Sequence, residues 1–238
     1  MRINTKFLFT GLLLAFAVGA VGLTVANYQD SETSNGNIIA AGTWTTPGPE
    51  PEPGDIVINE VMWMGSKDID NPDDDGSLDQ WIELKNVSNR DLHKKGLYIT
   101  SKPDVGSDIT IFTITNQGVI PAGESYLTTH YAKNRSALNV SPSADGSDMD
   151  NFQYGRMQLQ LWYQPNILIP PVLIDEAGDG INPPSDGDAV NFYSMQRNLV
   201  PGDGTDYANW FTCTDPSTTA TYWDAGRVER GTPGGPNV

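Results

Sequence analysis

Asp55-Ile-Val-Ile-Asn-Glu-Val-Met-Trp63 and, after an acidic loop, Gln80-Trp-Ile-Glu-Leu-Lys-Asn86 are the stretches on which the fold turns. Both runs have strand composition, and each carries one glutamate, Glu60 and Glu83, inside apolar sequence. A carboxylate buried in a sheet needs hydrogen-bond donors or a cation. Arg197, in Ser194-Met-Gln-Arg197, is the basic residue expected to supply one, so an ion pair from Arg197 to Glu60 or Glu83 is predicted.

Working outward, the remaining signals are strands and turns. Met157-Gln-Leu-Gln-Leu-Trp-Tyr163 alternates, with Met157, Leu159 and Leu161 on one face and Gln158, Gln160 and Trp162 on the other. Similar runs cover 56–62, 81–86, 96–100, 109–114, 125–131, 167–175 and 189–195. Pro170-Pro171 interrupts the penultimate run and marks an edge or a bulge. Asp-Gly steps beginning at Asp75, Asp145, Asp179, Asp186 and Asp203 offer positive-φ turn positions. No stretch beyond the N-terminal segment has a helical period. About eight short strands with turn signals between them predict an all-β, two-sheet sandwich with long loops near 64–79, 141–156 and 176–188.

The paired INEV-type and WIEL-type strands, with Gly118-Val-Ile-Pro-Ala-Gly-Glu-Ser-Tyr-Leu127, Ser194-Met-Gln-Arg197 and the closing Gly231-Thr-Pro-Gly-Gly-Pro-Asn237, occur in this order across the chain. Together they resemble the lamin-tail domain family. The resemblance implies an immunoglobulin-like sandwich over residues 55–238 that binds rather than catalyses. It also implies structural roles for Asn59, Glu60, Trp81, Glu83 and Arg197. A shared fold does not bring a shared ligand.

The chain of 238 residues opens with Arg2 and Lys6, then an apolar run from Phe7 to Ala26 ending in a small-x-small pattern at Thr24-Val-Ala26. Residues 1–26 read as a signal peptide, with an uncleaved anchor as the alternative. Residues 26–43, with Tyr28-Gln-Asp-Ser-Glu-Thr33 ahead of Ala41-Gly-Thr43, resemble the export region of camelysin-like and biofilm-fibre proteins. That resemblance implies a secreted or cell-surface location. Thr45-Thr-Pro-Gly-Pro-Glu-Pro-Glu-Pro-Gly54 has prolines that fix φ and remove donors, so 27–54 is assigned as export region and stiff linker.

With 14 basic and 30 acidic residues the net charge is −16, and loss of Arg2 and Lys6 would leave 12 basic residues. Such a chain repels phosphate backbones, which argues against a nucleic-acid partner. Cys213 is the sole cysteine, follows Trp210-Phe-Thr212, and is expected to be buried. His93, in a basic cluster expected at an exposed hairpin turn, and His130, at a strand end, are expected to have surface or core roles. No HExxH, GxSxG, P-loop or CxxC pattern occurs.

Asp68-Ile-Asp-Asn-Pro-Asp-Asp-Asp-Gly-Ser-Leu-Asp79 places six aspartates in twelve residues. Asn71-x-Asp73-x-Asp75-Gly76 has the ligand spacing of the first half of an EF-hand loop. Asp68, Asp70, Asn71, Asp73, Asp75 and Asp79 are therefore candidate Ca²⁺ ligands. The position for a bidentate glutamate is Ile82, however, and Glu83 falls one place late. A solvated acidic loop explains the stretch equally well. Three functional expectations follow. The first is an exported, non-enzymatic surface interaction or structural module whose partners are other surface proteins or envelope components, with self-association by strand addition at an uncapped edge and membrane contact only through an uncleaved N-terminus. The second is a calcium-dependent carbohydrate-binding or adhesion module using the acidic loop and exposed tryptophans. The third is a secreted hydrolase in which Glu60 and Glu83 act as a carboxylate pair about 5–9.5 Å apart.

Overall fold

The computed structural model describes residues 48–67, 76–103, 105–144, 149–150 and 152–238. The strands are β1 (Ile56–Met62), β2 (Trp81–Asn86), β3 (Leu92–His93), β4 (Leu97–Ser101), β5 (Ile109–Thr113), β6 (Val119–Ile120), β7 (Ser125–Thr129), β8 (Leu159–Tyr163), β9 (Val172–Ala177), β10 (Met195–Arg197) and β11 (Trp210–Thr212). A 3₁₀ turn covers Tyr207–Asn209, and one short helix, α1 (Ser217–Tyr222), follows β11. A five-stranded sheet runs β11-β10-β1-β2-β7 and a four-stranded sheet runs β5-β4-β8-β9; β3 and β6 form a small ribbon. Every strand pair is antiparallel. This is the all-β sandwich that the alternation and turn signals predict.

The core lies where both sheets turn aliphatic side chains inward: Ile56, Ile58, Val61, Ile82 and Leu84 from one, Ile99, Leu159, Leu161 and Ile174 from the other. Fully burying one such side chain contributes roughly 1.5–3 kcal/mol. β1 has no exposed position at all. A bulge at Asn59 steps its pairing with β2 from Ile58↔Leu84 to Glu60↔Glu83. Strict alternation would put Glu60 on the core face with Ile56 and Ile58; one extra residue reverses that parity. Glu60 and Glu83 therefore face away from the core, while Val61 and Ile82 keep it apolar.

Differences from the sequence reading have local causes. The strand expected over 189–195 is not formed: Asp188 and Tyr193 exchange backbone hydrogen bonds of 2.9 and 3.1 Å across a tight turn, with Phe192 left-handed at φ 59°, and β10 starts only at Met195. β9 starts after Pro171, and it is an edge strand as two prolines require. Gly76, Gly180 and Gly187 have the positive φ expected of Asp-Gly steps, but Gly204 does not. It is a glycine because a Cβ there would collide with the Glu176 carbonyl and the Arg197 guanidinium. His93 lies in β3 rather than at an exposed turn, with its ring nitrogens near Tyr163 Oη and Gln117 Oε1, both at 3.3 Å.

Three sheet edges are partly occupied by the chain itself. Asp150 N–H donates to Ile111 O on β5, Ser143 N–H to Leu127 O on β7, and Gly54 N–H to Ile174 O on β9. Covering edges in this way blunts strand addition. The proline-rich stretch is hydrogen-bonded to the domain before Gly54, since His93 N–H donates to Pro49 O.

Candidate functional site

Glu60 and Glu83 stand directly opposite each other on β1 and β2, both wholly buried. The cover is the C-terminal segment, Gly231 to Val238, which crosses this side of the five-stranded sheet. Glu60 Oε1 accepts from Ser194 Oγ, from Gln196 Nε2 at 2.9 Å and from Thr232 N–H at 2.9 Å; Oε2 accepts from Thr232 Oγ1 at 2.8 Å. Glu83 Oε1 accepts from Asn59 Nδ2 at 2.7 Å and Oε2 from Gly234 N–H at 2.6 Å. Asn237 completes the lock, donating from Nδ2 to Arg197 O at 2.7 Å and accepting from Asn59 Nδ2 at 3.0 Å. The bulge residue Asn59 thus joins one glutamate to the terminal segment.

All of these donors are neutral. Among the described residues, no lysine or arginine forms an ion pair with either glutamate. Burial raises both carboxyls, and Glu83 is pushed up to about 8 by burial first and the charge of Glu60 second. Two carboxylates so close in a dry site cannot both ionise cheaply. The same field reaches Cys213, buried as expected, whose thiol is pushed up to about 11 by burial and then by Glu60. Tyr222 on α1 is also raised, by burial and then by Glu60 and Glu83.

The predicted ion pair between Arg197 and a strand glutamate is not formed. Arg197 lies two positions after Met195, which pairs with Val61, so it faces the core, on the opposite side of the sheet from Glu60. It reaches across the sandwich to Asp175 on β9 instead, Nη1 to Oδ2 at 3.2 Å and Nη2 to Oδ1 at 3.3 Å. Its guanidinium also donates to the Gly202 carbonyl and lies 4.9 Å from the Trp210 ring centroid. Asp175 accepts from Ile58 N–H at 2.8 Å and so ties β9 to β1 as well. Asp175 was not among the candidate residues read from the sequence, although a carboxylate ending the apolar run Val172-Leu-Ile174 carries the same signal as Glu60.

Of the candidate calcium ligands, Asp68, Asp70, Asn71, Asp73 and Asp75 lie outside the described residues. Asp79 is fully buried, and its Oδ2 accepts from Ser66 Oγ at 2.8 Å and Ala137 N–H at 2.9 Å. Gly76 O accepts from both Ser66 N–H and Asp79 N–H at 2.9 Å, so these residues pin the base of the acidic loop. Trp81 is buried against Trp223, ring centroids 6.4 Å apart. Trp63 is buried too, donating from Nε1 to Asp186 O at 3.0 Å, whereas Trp162 is on the open side of its sheet. His130 Nδ1 is 2.8 Å from Met149 O.

No protein-family model matches this chain, and no curated protein does either.

Proposed function

We propose that this protein is an exported, non-catalytic surface module of the lamin-tail kind, acting by contact with other surface proteins or envelope components. The observation that carries the reading is the state of Glu60 and Glu83. The residues best placed for hydrolysis are sealed under the C-terminal segment and occupied by donors of the fold itself. A carboxylate pair working on a glycoside needs both groups open to substrate. The five positions singled out by the family resemblance, Asn59, Glu60, Trp81, Glu83 and Arg197, are all buried. This supports architectural roles for them and leaves function to the surface.

The partly covered edges make strand addition a poor route to self-association, so loops and an open sheet face are the better contact surfaces. The acidic chain disfavours nucleic acid. In cells that produce the full-length protein, a membrane-impermeant biotin reagent should label it without lysis, and it should sediment with the envelope. Labelling only after lysis would sink the export reading. A glycosidase activity abolished by Glu60→Gln in a protein that still melts cooperatively would sink the non-catalytic one.

A further inference from the structure

The solvent side of the four-stranded sheet carries a row of aromatic and polar side chains. The register aligns Tyr98 on β4 with Trp162 on β8, and Thr100 with Gln160, which in turn faces Glu176 on β9. These side chains are half-exposed, opposite the buried Ile99, Leu159 and Leu161. The rings of Tyr98 and Trp162 lie within 14° of parallel with centroids 6.5 Å apart. Each polar neighbour holds another in place: Trp162 Nε1 donates to Thr100 Oγ1 at 3.2 Å, and Gln158 and Gln160 both donate to Glu176 Oε1, at 3.0 and 2.7 Å.

We propose that this face is a carbohydrate-binding platform for a linear, uncharged glycan, with Tyr98 and Trp162 as the stacking surface and Gln160 and Glu176 as the hydroxyl-reading edge. The proposal rests on the surface-module reading and names its ligand class. Aromatic faces pack against the C–H faces of sugar rings, and two nearly parallel rings on neighbouring strands suit successive residues of one polymer. The amide and carboxylate beside them are the kind of few, fixed polar groups that orient a ligand on an apolar surface. Because indole, amides and carboxylate are already tied to one another, little side-chain freedom is lost on binding. The choice of an uncharged polymer follows from charge. Glu176 sits in the polar row, and a chain of net charge −16 repels anionic polysaccharides. A protein partner would favour the exposed aliphatics of the β8–β9 tip, Ile167 and Leu168, about 90% accessible, over this mixed aromatic and amide face.

The test is affinity electrophoresis of the full-length protein in gels containing soluble neutral polysaccharides (hydroxyethylcellulose, mixed-linkage β-glucan, glucomannan and xylan), with tryptophan fluorescence titration alongside. Retardation by at least one polymer is expected, weakened tenfold or more by Trp162→Ala and by Tyr98→Ala but unchanged by Leu168→Ser at the hairpin tip. Melting curves show whether each variant is folded. No retardation by any polymer, or retardation that Trp162→Ala leaves intact, overturns the proposal. Loss of dimerisation in Trp162→Ala without any glycan effect assigns the face to a second copy of the chain and overturns it equally. Envelope sedimentation together with no retardation by any polymer would defeat the platform while leaving the surface-module reading standing.

Discussion

The two faces of β1 and β10 bury carboxylates in opposite ways. On the core face, Asp175 is met by Arg197, whose side chain is 1% exposed, and the pair bridges the two sheets. On the outer face, Glu60 and Glu83 have neutral donors and each other, closed in by the C-terminal segment. In the first case an opposite charge counters desolvation without cancelling it, and burial still raises the Asp175 carboxyl; in the second no cation opposes burial, and Glu83 is pushed up to about 8 by burial and then by Glu60. A buried charge in this fold is thus tolerated by either route, and the two should respond differently to mutation and to pH.

The largest effect is expected on the cationic side. Arg197→Met leaves Asp175 buried without its cation and should cost about 3–5 kcal/mol, read as a fall in the denaturant midpoint. Arg197→Met with Asp175→Leu should recover much of that loss. A double variant as damaged as the single one would show that the carbonyl contacts of Arg197, not its charge, matter most. Next comes the neutral side: Thr232→Val removes the hydroxyl that donates to Glu60 and accepts from Gln196, at about 1–3 kcal/mol. Amide exchange at Thr232 and Gly234 should quicken in that variant more than exchange in β4 and β8.

pH sharpens the contrast further. A carboxyl raised in the folded state stabilises the fold at low pH and loses that contribution as pH rises through the folded value. Melting temperature should therefore fall between about pH 4.5 and about pH 8, the interval over which Glu83 is shifted. Burial raises Glu60, Asp79 and Asp175 as well, with the same sign. Asp179, held to about 2 by hydrogen bonds from Asn182, acts only below that window. Glu83→Gln should flatten the upper part of the curve; an unchanged slope would mean that the pair does not share a proton. The smallest effect belongs to the open sheet, where Trp162→Ala should cost only about 1 kcal/mol or less, because a half-exposed cross-strand pair contributes little.

Much of the fold was legible because strand alternation and turn chemistry are local. β1 and β2 begin and end where their apolar runs do, and Pro170-Pro171 marked β9 as an edge. The short strands β3, β6 and β11 and the helix α1 were missed, since two or three residues, or six residues rich in threonine, carry no periodicity to detect. The need of Glu60 and Glu83 for partners was also legible, as was the burial of Cys213.

The sequence alone determined that two carboxylates would lie within strands and would demand compensation, because composition and local pattern suffice for that. Tertiary structure decided what compensates them. The bulge at Asn59 reverses side-chain parity within β1, which sends Glu60 to the face that Glu83 occupies on β2 while Arg197 stays on the other. Apart from Asn59, their donors come from Ser194, Gln196, Thr232 and Gly234, more than a hundred residues along the chain. A one-residue change of register and a contact across such a separation depend on the assembled fold, and no short-range signal encodes either.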